Sequence, residues 1–315
     1  IPGLYKEVVV FDFRSLYPTI ISAHNLGPEG LKCSCCVDKE AAHVPGKEEY
    51  WFCLREKKFL PTILEQLILR RAEIKKDIKK SKQEKKETSL LEARSYTLKI
   101  LANSFYGYLG FYAARWYSLE SAASTTAYAR NYITSTIAKA GEKGFKVVYA
   151  DTDSCFLLLD GKTVDEAMRF MNEVNETLPG QMELELEGHY PRGIFVGLKG
   201  GEKGAKKKYA LLRKDGTLKI TGFETVRRNW SPLAKEVQEK VLGLDLREYP
   251  FQTATPDINN KFTGGIGNAQ LTPGVKENSF YFKGERSYIA IPKNPNLELK
   301  NEFTISSWIK VDKTY

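Results

Sequence analysis

Asp151, Thr152 and Asp153 stand in a row and offer two carboxylates at i and i+2. In an extended or tight hairpin conformation those two side chains point the same way. Like charges that close are unfavourable unless a cation lies between them. Carboxylates with water and phosphate oxygens are the donors that Mg²⁺ prefers. The same triplet is also an ordinary solvated turn composition. A third carboxylate, Asp12, ends the apolar run Val8, Val9, Val10, Phe11. A carboxylate there is costly if buried and unpaired, so it either caps the next turn or binds something. Joined to the other pair, it would allow two Mg²⁺ ions and a phosphoryl-transfer site acting on both attacking and leaving oxygens. Complementary charge is at hand. Arg71 and Lys75 are spaced i, i+4, while Lys99, Asn103 and Tyr106 are spaced i, i+4, i+7, so each set shares one helix face. Facing cations and an aromatic ring suit a triphosphate and a stacked base, and equally suit two ordinary basic helix faces.

These side chains need elements to hold them. Residues 7–13, EVVVFDF, read as a buried strand ending in Asp12. Apolar residues at Leu64, Leu67, Ile68, Ile74 and Ile78 predict a helix over about 62–80. A polar turn follows at 81–88 and a second helix at about 89–106, which makes a projecting helical hairpin. Residues 119–141 read as a helix stopped at Gly141 and Gly144. FKVVYADTDSCFLLLD reads as two strands about a turn centred on Thr152, with a helix at 164–178 beyond it. GQMELELEG at 180–188 alternates like a strand, and KKYALLRKDGTLKITGF predicts a hairpin turning at Asp215 and Gly216. Residues 231–242 read as a capped helix. From about 248 to 278 Pro, Gly, Asn and Thr dominate, which predicts a linker, and short alternating strands follow.

Composition bounds the function classes. The chain has 315 residues, 42% of them hydrophobic and 28% charged, which excludes a disordered or fibrous protein. No run of about 18 apolar residues exists, so no membrane span is expected. The first residues, IPGLYKEVVVFDF, carry no basic n-region and no cleavage site, and they lack an initiator Met. An intracellular protein, and a fragment or processed piece, is therefore expected. Five Cys at low density argue against a secreted disulfide scaffold. The net charge of +9 is concentrated. Residues 57–99 hold 13 Lys+Arg against 6 Asp+Glu, and residues 199–214 hold 7 against 1. Two such patches point to a polyanion partner or to solvated Lys-rich faces.

Four segments together carry a resemblance. DFRSLYPTII at 12–21, KILANSFYG at 99–107 and YADTDS at 149–154 resemble, in order and separation, the three polymerase motifs of family B DNA polymerases. AKKKYAL at 205–211 resembles the basic primer–template motif after them, and VRRNWSPLAKEVQEKVL at 226–242 resembles the start of an archaeal thumb. The resemblance covers about residues 1–245. It implies an α+β fold: a palm of antiparallel sheet backed by helices, with a helical-hairpin fingers insertion and a short β-rich tail. The implied division is palm at 1–56 and 109–226, fingers at 57–108, a truncated thumb at 227–247, a linker at 248–278 and the tail at 279–315. The implied activity is template-directed transfer of dNMP from a dNTP to a primer 3′-hydroxyl with two Mg²⁺ ions, in a cytoplasmic, nucleoid-associated protein.

The resemblance also assigns roles. Asp12 and Asp153 match the metal-binding aspartates, Asp151 their acidic neighbour, and Phe13 joins the metal set. Phe13, Arg14, Ser15 and Leu16 match the segment whose backbone amides meet the triphosphate, and Tyr17 the ring under the incoming sugar. Arg71, Lys75 and Lys99 match the fingers cations; Asn103 and Tyr106 match positions at the nucleotide. Gly107, Thr152, Lys206, Lys207, Lys208 and Tyr209 match the DNA-contacting positions. Glu185 and Glu187 lie near the metals in the family, without a firm role.

Other features depart from the family pattern. The chain starts 11 residues before Asp12, so no exonuclease and no proofreading are expected of it. A catalytically weak DNA-binding subunit needing a second polymerase chain for thumb or exonuclease is the alternative, with a non-enzymatic binding fragment behind it. GLKGGEKGA at 197–205 is longer and richer in Gly than the family usually shows and is expected as a mobile loop beside the DNA. Residues 279–315 weakly resemble the opening strands of a laminin-G or concanavalin-like jelly roll. Cys33, Cys35, Cys36 and Cys53 lie within 21 residues, as free thiols, a disulfide or a zinc site, although Cys-x-Cys-Cys is poor spacing for a zinc knuckle. The resemblance places a family disulfide in this region, which here would join Cys33 to Cys53. Cys155 reads as a small core residue, and His24, His43 and His189 as structural or exposed.

Overall fold

The computed structural model describes residues 1–197, 204–247, 269–274 and 277–282. The chain divides into two compact units, Ile1–Tyr249 and Pro250–Tyr315. The first unit runs β1 (Gly3–Phe13), α1 (Leu16–Ala23), β2 (His43–Val44), β3 (Lys47–Trp51), α2 (Phe59–Gln83), α3 (Ser89–Leu109) and α4 (Leu119–Glu142). It continues with β4 (Lys146–Asp151), β5 (Ser154–Leu158), α5 (Val164–Glu176), β6 (Leu184–Gly197), β7 (Gly204–Leu212), β8 (Leu218–Thr221) and α6 (Pro232–Arg247). Six strands form one antiparallel sheet in the order β4-β5-β1-β6-β7-β8. This is the expected α+β class.

β1 is the centre of that sheet because it is apolar on both faces. Val8, Val9, Val10 and Phe11 are each 0% exposed. Strand alternation sends Val9, Phe11 and Phe13 into one core with α1, α4 and α5, and Val8 and Val10 into a second with Val148, Phe156, Tyr190, Phe195 and Leu211. Each such fully buried side chain contributes about 1.5–3 kcal/mol. Asp12 falls on the face of Val8 and Val10, one step beyond their apolar cover. α4 meets the sheet through small and hydroxylated residues. Its buried Ser124, Thr125 and Thr136 hydroxyls donate to carbonyls one turn back, so no polar atom is stranded there.

Several boundaries move. β6 runs on to Gly197, past the expected 180–188, because its pairing with β1 continues to Gly3 opposite Phe195. Pro191, which has no N–H to give to a ladder, sits at a gap in that pairing, between Arg192 opposite Lys6 and Tyr190 opposite Val8. α2 extends to Gln83 into the expected polar turn, which narrows to the few residues around Lys85 at φ 54°. α3 runs three residues beyond 106, to Leu109. In the second unit β9 (Ala269–Gly274) and β10 (Glu277–Phe282) form an antiparallel hairpin. β9 therefore lies in the stretch expected as linker. Its strand residues were hidden in sequence by the surrounding Pro, Gly and Asn. Residues 283–315 and the Gly-rich 198–203 lie outside the described residues.

Candidate active site

The sheet brings the three carboxylates together at one end. Asp12 on β1 stands opposite Ser154 on β5 and Glu185 on β6. β4 and β5 form a hairpin whose turn holds Thr152 at φ 38°, so Asp153 directly precedes the residue facing Asp12. The Phe13 N–H donates to the Asp153 carbonyl at 2.8 Å and locks the two strands at this point. Burial, and then the charges of Asp153, Glu187 and Glu185, push the Asp12 carboxyl up to about 7, with Lys219 opposing. Burial also raises Asp153, aided by Asp151 and Glu187. Asp151 is more open. It contacts Lys207 Nζ at 3.5 Å and accepts from the Thr152 hydroxyl at 3.2 Å.

α1 starts directly after β1. Ser15 takes a left-handed conformation, φ 52°, to turn the chain from strand into helix. No side chain caps α1, so the first-turn amides of Leu16 and Tyr17 have no acceptor within the helix. The amides of Phe13 and Arg14 are different. The first donates to Asp153 and the second to the Glu183 carbonyl at 2.9 Å. Sheet pairing thus takes up the first two amides of the Phe13–Leu16 segment. The Arg14 guanidinium is likewise held, by Glu183 at 2.5 Å and Glu185 at 3.2 Å.

The helical hairpin closes the other side. Asp12, Phe13, Ser15, Leu16, Tyr17, Lys99, Asn103, Thr152 and Asp153 line a cleft of about 350 Å³. A narrow pocket next to it is lined by Arg14, Ser15, Arg71, Lys75 and Lys99, so Ser15 and Lys99 belong to both. Burial, and then the Arg14 charge, hold Arg71 below the ordinary arginine range; burial lowers Lys75 as well, with Arg71 and Arg14 adding to it. Arg71 Nη1 donates to Ser15 Oγ at 3.3 Å, while its buried Nε has no acceptor. A buried donor without a partner amid clustered cations is a place prepared for an anion. Tyr17 packs on Tyr106 with ring centroids 4.5 Å apart. At Gly107 on α3 a Cβ would meet nothing within 4 Å.

The basic segment of β7 is less uniform than its sequence. The Lys207 N–H donates to the Tyr149 hydroxyl at 2.8 Å. Lys208 is paired with Glu224 at 3.1 Å, and the Tyr209 ring lies within an aromatic cluster with Tyr149, Phe156 and Phe195. The four residues matched to the primer–template segment therefore differ in their surroundings. Lys208 and Tyr209 make internal contacts on opposite faces of β7, while Lys206 and Lys207 stay exposed.

Sequence reasoning left Glu185 and Glu187 without a role and missed Glu183, Lys219 and Tyr149. The period-two run Met182-Glu183-Leu184-Glu185-Leu186-Glu187 carried the signal, since it puts all three carboxylates on one face of a strand beside β1. Lys219 on β8 pairs with Glu187 and offsets part of that charge.

A family model for family B DNA polymerases matches residues 1–274. The chain belongs to DNA polymerase family B. It is 43% identical over 249 residues to DNA polymerase 1 of Pyrococcus abyssi, covering 78% of this chain and 31% of that protein. It is 43% identical over 257 residues to the DNA polymerase of Thermococcus gorgonarius, covering 80% of this chain and 32% of the relative. The solved family B DNA polymerase of the hyperthermophilic archaeon Pyrobaculum calidifontis aligns with a TM-score of 0.60 and 33% identity, over 79% of this chain and 31% of that one. The chain thus spans about a third of the length of these family B polymerases. Among the described residues no helix is long and apolar enough to cross a membrane.

Proposed function

We propose that this chain carries the nucleotidyl-transfer centre of a template-directed DNA polymerase. The six-stranded sheet with α1, α4 and α5 serves as the palm, the α2–α3 hairpin as the fingers, and α6 as the beginning of a thumb. The observation that carries the reading is the adjacency of two sites through Ser15 and Lys99: an acidic cleft at Asp12 and Asp153, and a cationic pocket at Arg71 with an unpartnered buried Nε.

The donor set fits Mg²⁺. Two half-buried carboxylates destabilise each other, and their oxygens, with the Phe13 carbonyl, are hard ligands suited to that ion. Asp12, Asp153 and Phe13 would hold two ions, with Asp151 beside them. When bound, Mg²⁺ polarises the α-phosphate and lowers the pKa of the attacking hydroxyl. The protein's own part is positioning. Arg71, Lys75 and Lys99 hold the triphosphate from the hairpin side, and the amides of Leu16 and Tyr17 meet it at the α1 N-terminus. The primer 3′-oxygen then attacks the α-phosphorus, the bond to the β-phosphate oxygen breaks, and pyrophosphate leaves. Tyr17, backed by Tyr106, lies where a 2′-hydroxyl would clash, which selects deoxyribonucleotides. Asn103 lines the cleft, and Gly107 and Thr152 sit where the nascent pair and the primer end would pass. Lys206 and Lys207 contact the backbone of the primer–template.

Primer extension on a primed template with dNTPs and Mg²⁺ tests this. Extension that falls at least a thousand-fold in Asp153→Ala supports it. Salt-sensitive DNA binding without extension favours a chain that needs a second polymerase chain. The absence of both DNA binding and extension overturns the reading.

A further inference from the structure

The proposed polymerase chemistry uses none of the cysteines, yet four of them meet. The thiols of Cys33, Cys35, Cys36 and Cys53 lie within 4.8 Å of one another. Cys35 Sγ is 3.6 Å from Cys36 Sγ and 3.8 Å from Cys53 Sγ, and all four are free thiols, with no Cys33–Cys53 bond. A tetrahedron with Zn–S bonds of about 2.3 Å has S···S edges of about 3.8 Å. The Cys35–Cys36 and Cys35–Cys53 separations match the edges of such a tetrahedron around one ion.

Cys33, Cys35 and Cys36 sit on one short segment, which alone supplies three thiols. The fold supplies the fourth from elsewhere. An antiparallel bridge joins Leu31 to Phe52, flanked by Cys53 N–H to the Gly30 carbonyl at 3.0 Å and Lys32 N–H to the Trp51 carbonyl at 2.8 Å. That pairing lays Cys53 beside the turn that carries the other three. A backbone amide already faces one of the sulfurs: the Leu54 N–H donates to Cys36 Sγ at 3.4 Å. Donors of this kind stabilise thiolates, the form that ligates metal.

We propose that Cys33, Cys35, Cys36 and Cys53 form a tetrathiolate site for a structural Zn²⁺ ion that seats the first helix of the hairpin. Tetrahedral thiolate sets take Zn²⁺ or an iron–sulfur cluster, and four sulfurs within 4.8 Å of one another fit a single ion. The connection to the hairpin is direct. The segment from Cys53 to Lys58 leads into α2, and the Asn25 side chain binds it at three points: Cys53 O at 2.7 Å, Glu56 O at 2.8 Å and Lys58 N at 2.7 Å. Asn25 follows α1, so the metal would tie the Tyr17-bearing helix and the Arg71-bearing helix to one anchor.

Metal analysis of the chain, purified without chelators, tests this independently of any polymerase activity. One zinc per chain is expected. Replacement by Co²⁺ is expected to give the intense visible bands and near-ultraviolet charge transfer of a tetrahedral thiolate site. Cys35→Ser and Cys53→Ser lose both signals, and Cys155→Ala keeps them. Native alkylation blocks the four thiols only after metal removal. If the Ser variants fail to fold, the wild-type cobalt spectrum and thiol count decide alone. Less than about 0.2 zinc per chain with no thiolate–cobalt spectrum overturns the proposal. So does an intact mass short by two hydrogens, which reports a disulfide.

Discussion

Asp12 illustrates how one residue is made costly by its neighbours. Its carboxyl is pushed up to about 7 by burial and by Asp153, Glu187 and Glu185. The unfolded chain releases that proton near 4, so metal-free stability falls as pH rises from about 4 through 7. Asp12→Asn is expected to stabilise the metal-free chain at pH 8 by on the order of 2 kcal/mol, after allowance for solvent screening in the open cleft, while abolishing extension. Denaturant melts with a chelator at pH 5 and pH 8 check it, and an equal effect at both pH values contradicts it. His24 behaves in the opposite sense. Its ring stacks on Tyr128 at 3.7 Å, its Nε2 meets the Tyr132 hydroxyl at 2.7 Å, and burial pushes its pKa down to about 4. The unfolded state takes the proton first as pH falls from 6.5, so stability drops between about pH 6.5 and 4, by on the order of 3 kcal/mol. His24→Gln should flatten that slope in a pH series of melts.

At the element scale the hairpin depends on its root. α2 begins at Phe59, and its first turns bury Leu60 and Leu64 against the core at 3% and 0% exposure, while its distal turns are largely exposed. Leu64→Ala is therefore expected to cost about 2–5 kcal/mol and to weaken nucleotide affinity, since the cavity lies beneath the turns that carry Arg71 and Lys75. Arg71→Ala should behave differently, raising the KM for dNTP ten-fold or more with little loss of stability. Thermal melts beside steady-state kinetics separate the two. The β7–β8 hairpin has a similar fixed point. Gly222 adopts φ 72°, and a Cβ there would run into the Lys207 carbonyl. Gly222→Ala must displace the strand carrying Lys206 and Lys207, and loss of DNA affinity with extension on saturating DNA retained is the expected pattern.

For the whole molecule the net charge of +9 matters less than its placement. DNA affinity should fall linearly in log–log salt plots, and Lys206→Ala should reduce the slope by about 1. Lys208→Ala should leave the slope unchanged, because Lys208 is already neutralised by Glu224, which Gln238 of α6 also binds at 2.6 Å. Titrations over a range of salt concentrations distinguish these outcomes. The sequence alone sufficed for the α+β class, the strand–turn–strand at Thr152, the long helical pair and the three aspartates. These rest on local periodicity, turn chemistry and motif order, which survive without knowledge of distant partners. It did not disclose that β6 continues through Pro191, that the Phe13 and Arg14 amides are consumed, that Lys208 is paired, or which of the alternatives open for the four cysteines their spatial placement favours. Each of those is a pairing between segments remote in the chain. Only the register of β1 with β5 and β6, and the bridge of Leu31 with Phe52, decides which polar groups remain available for chemistry.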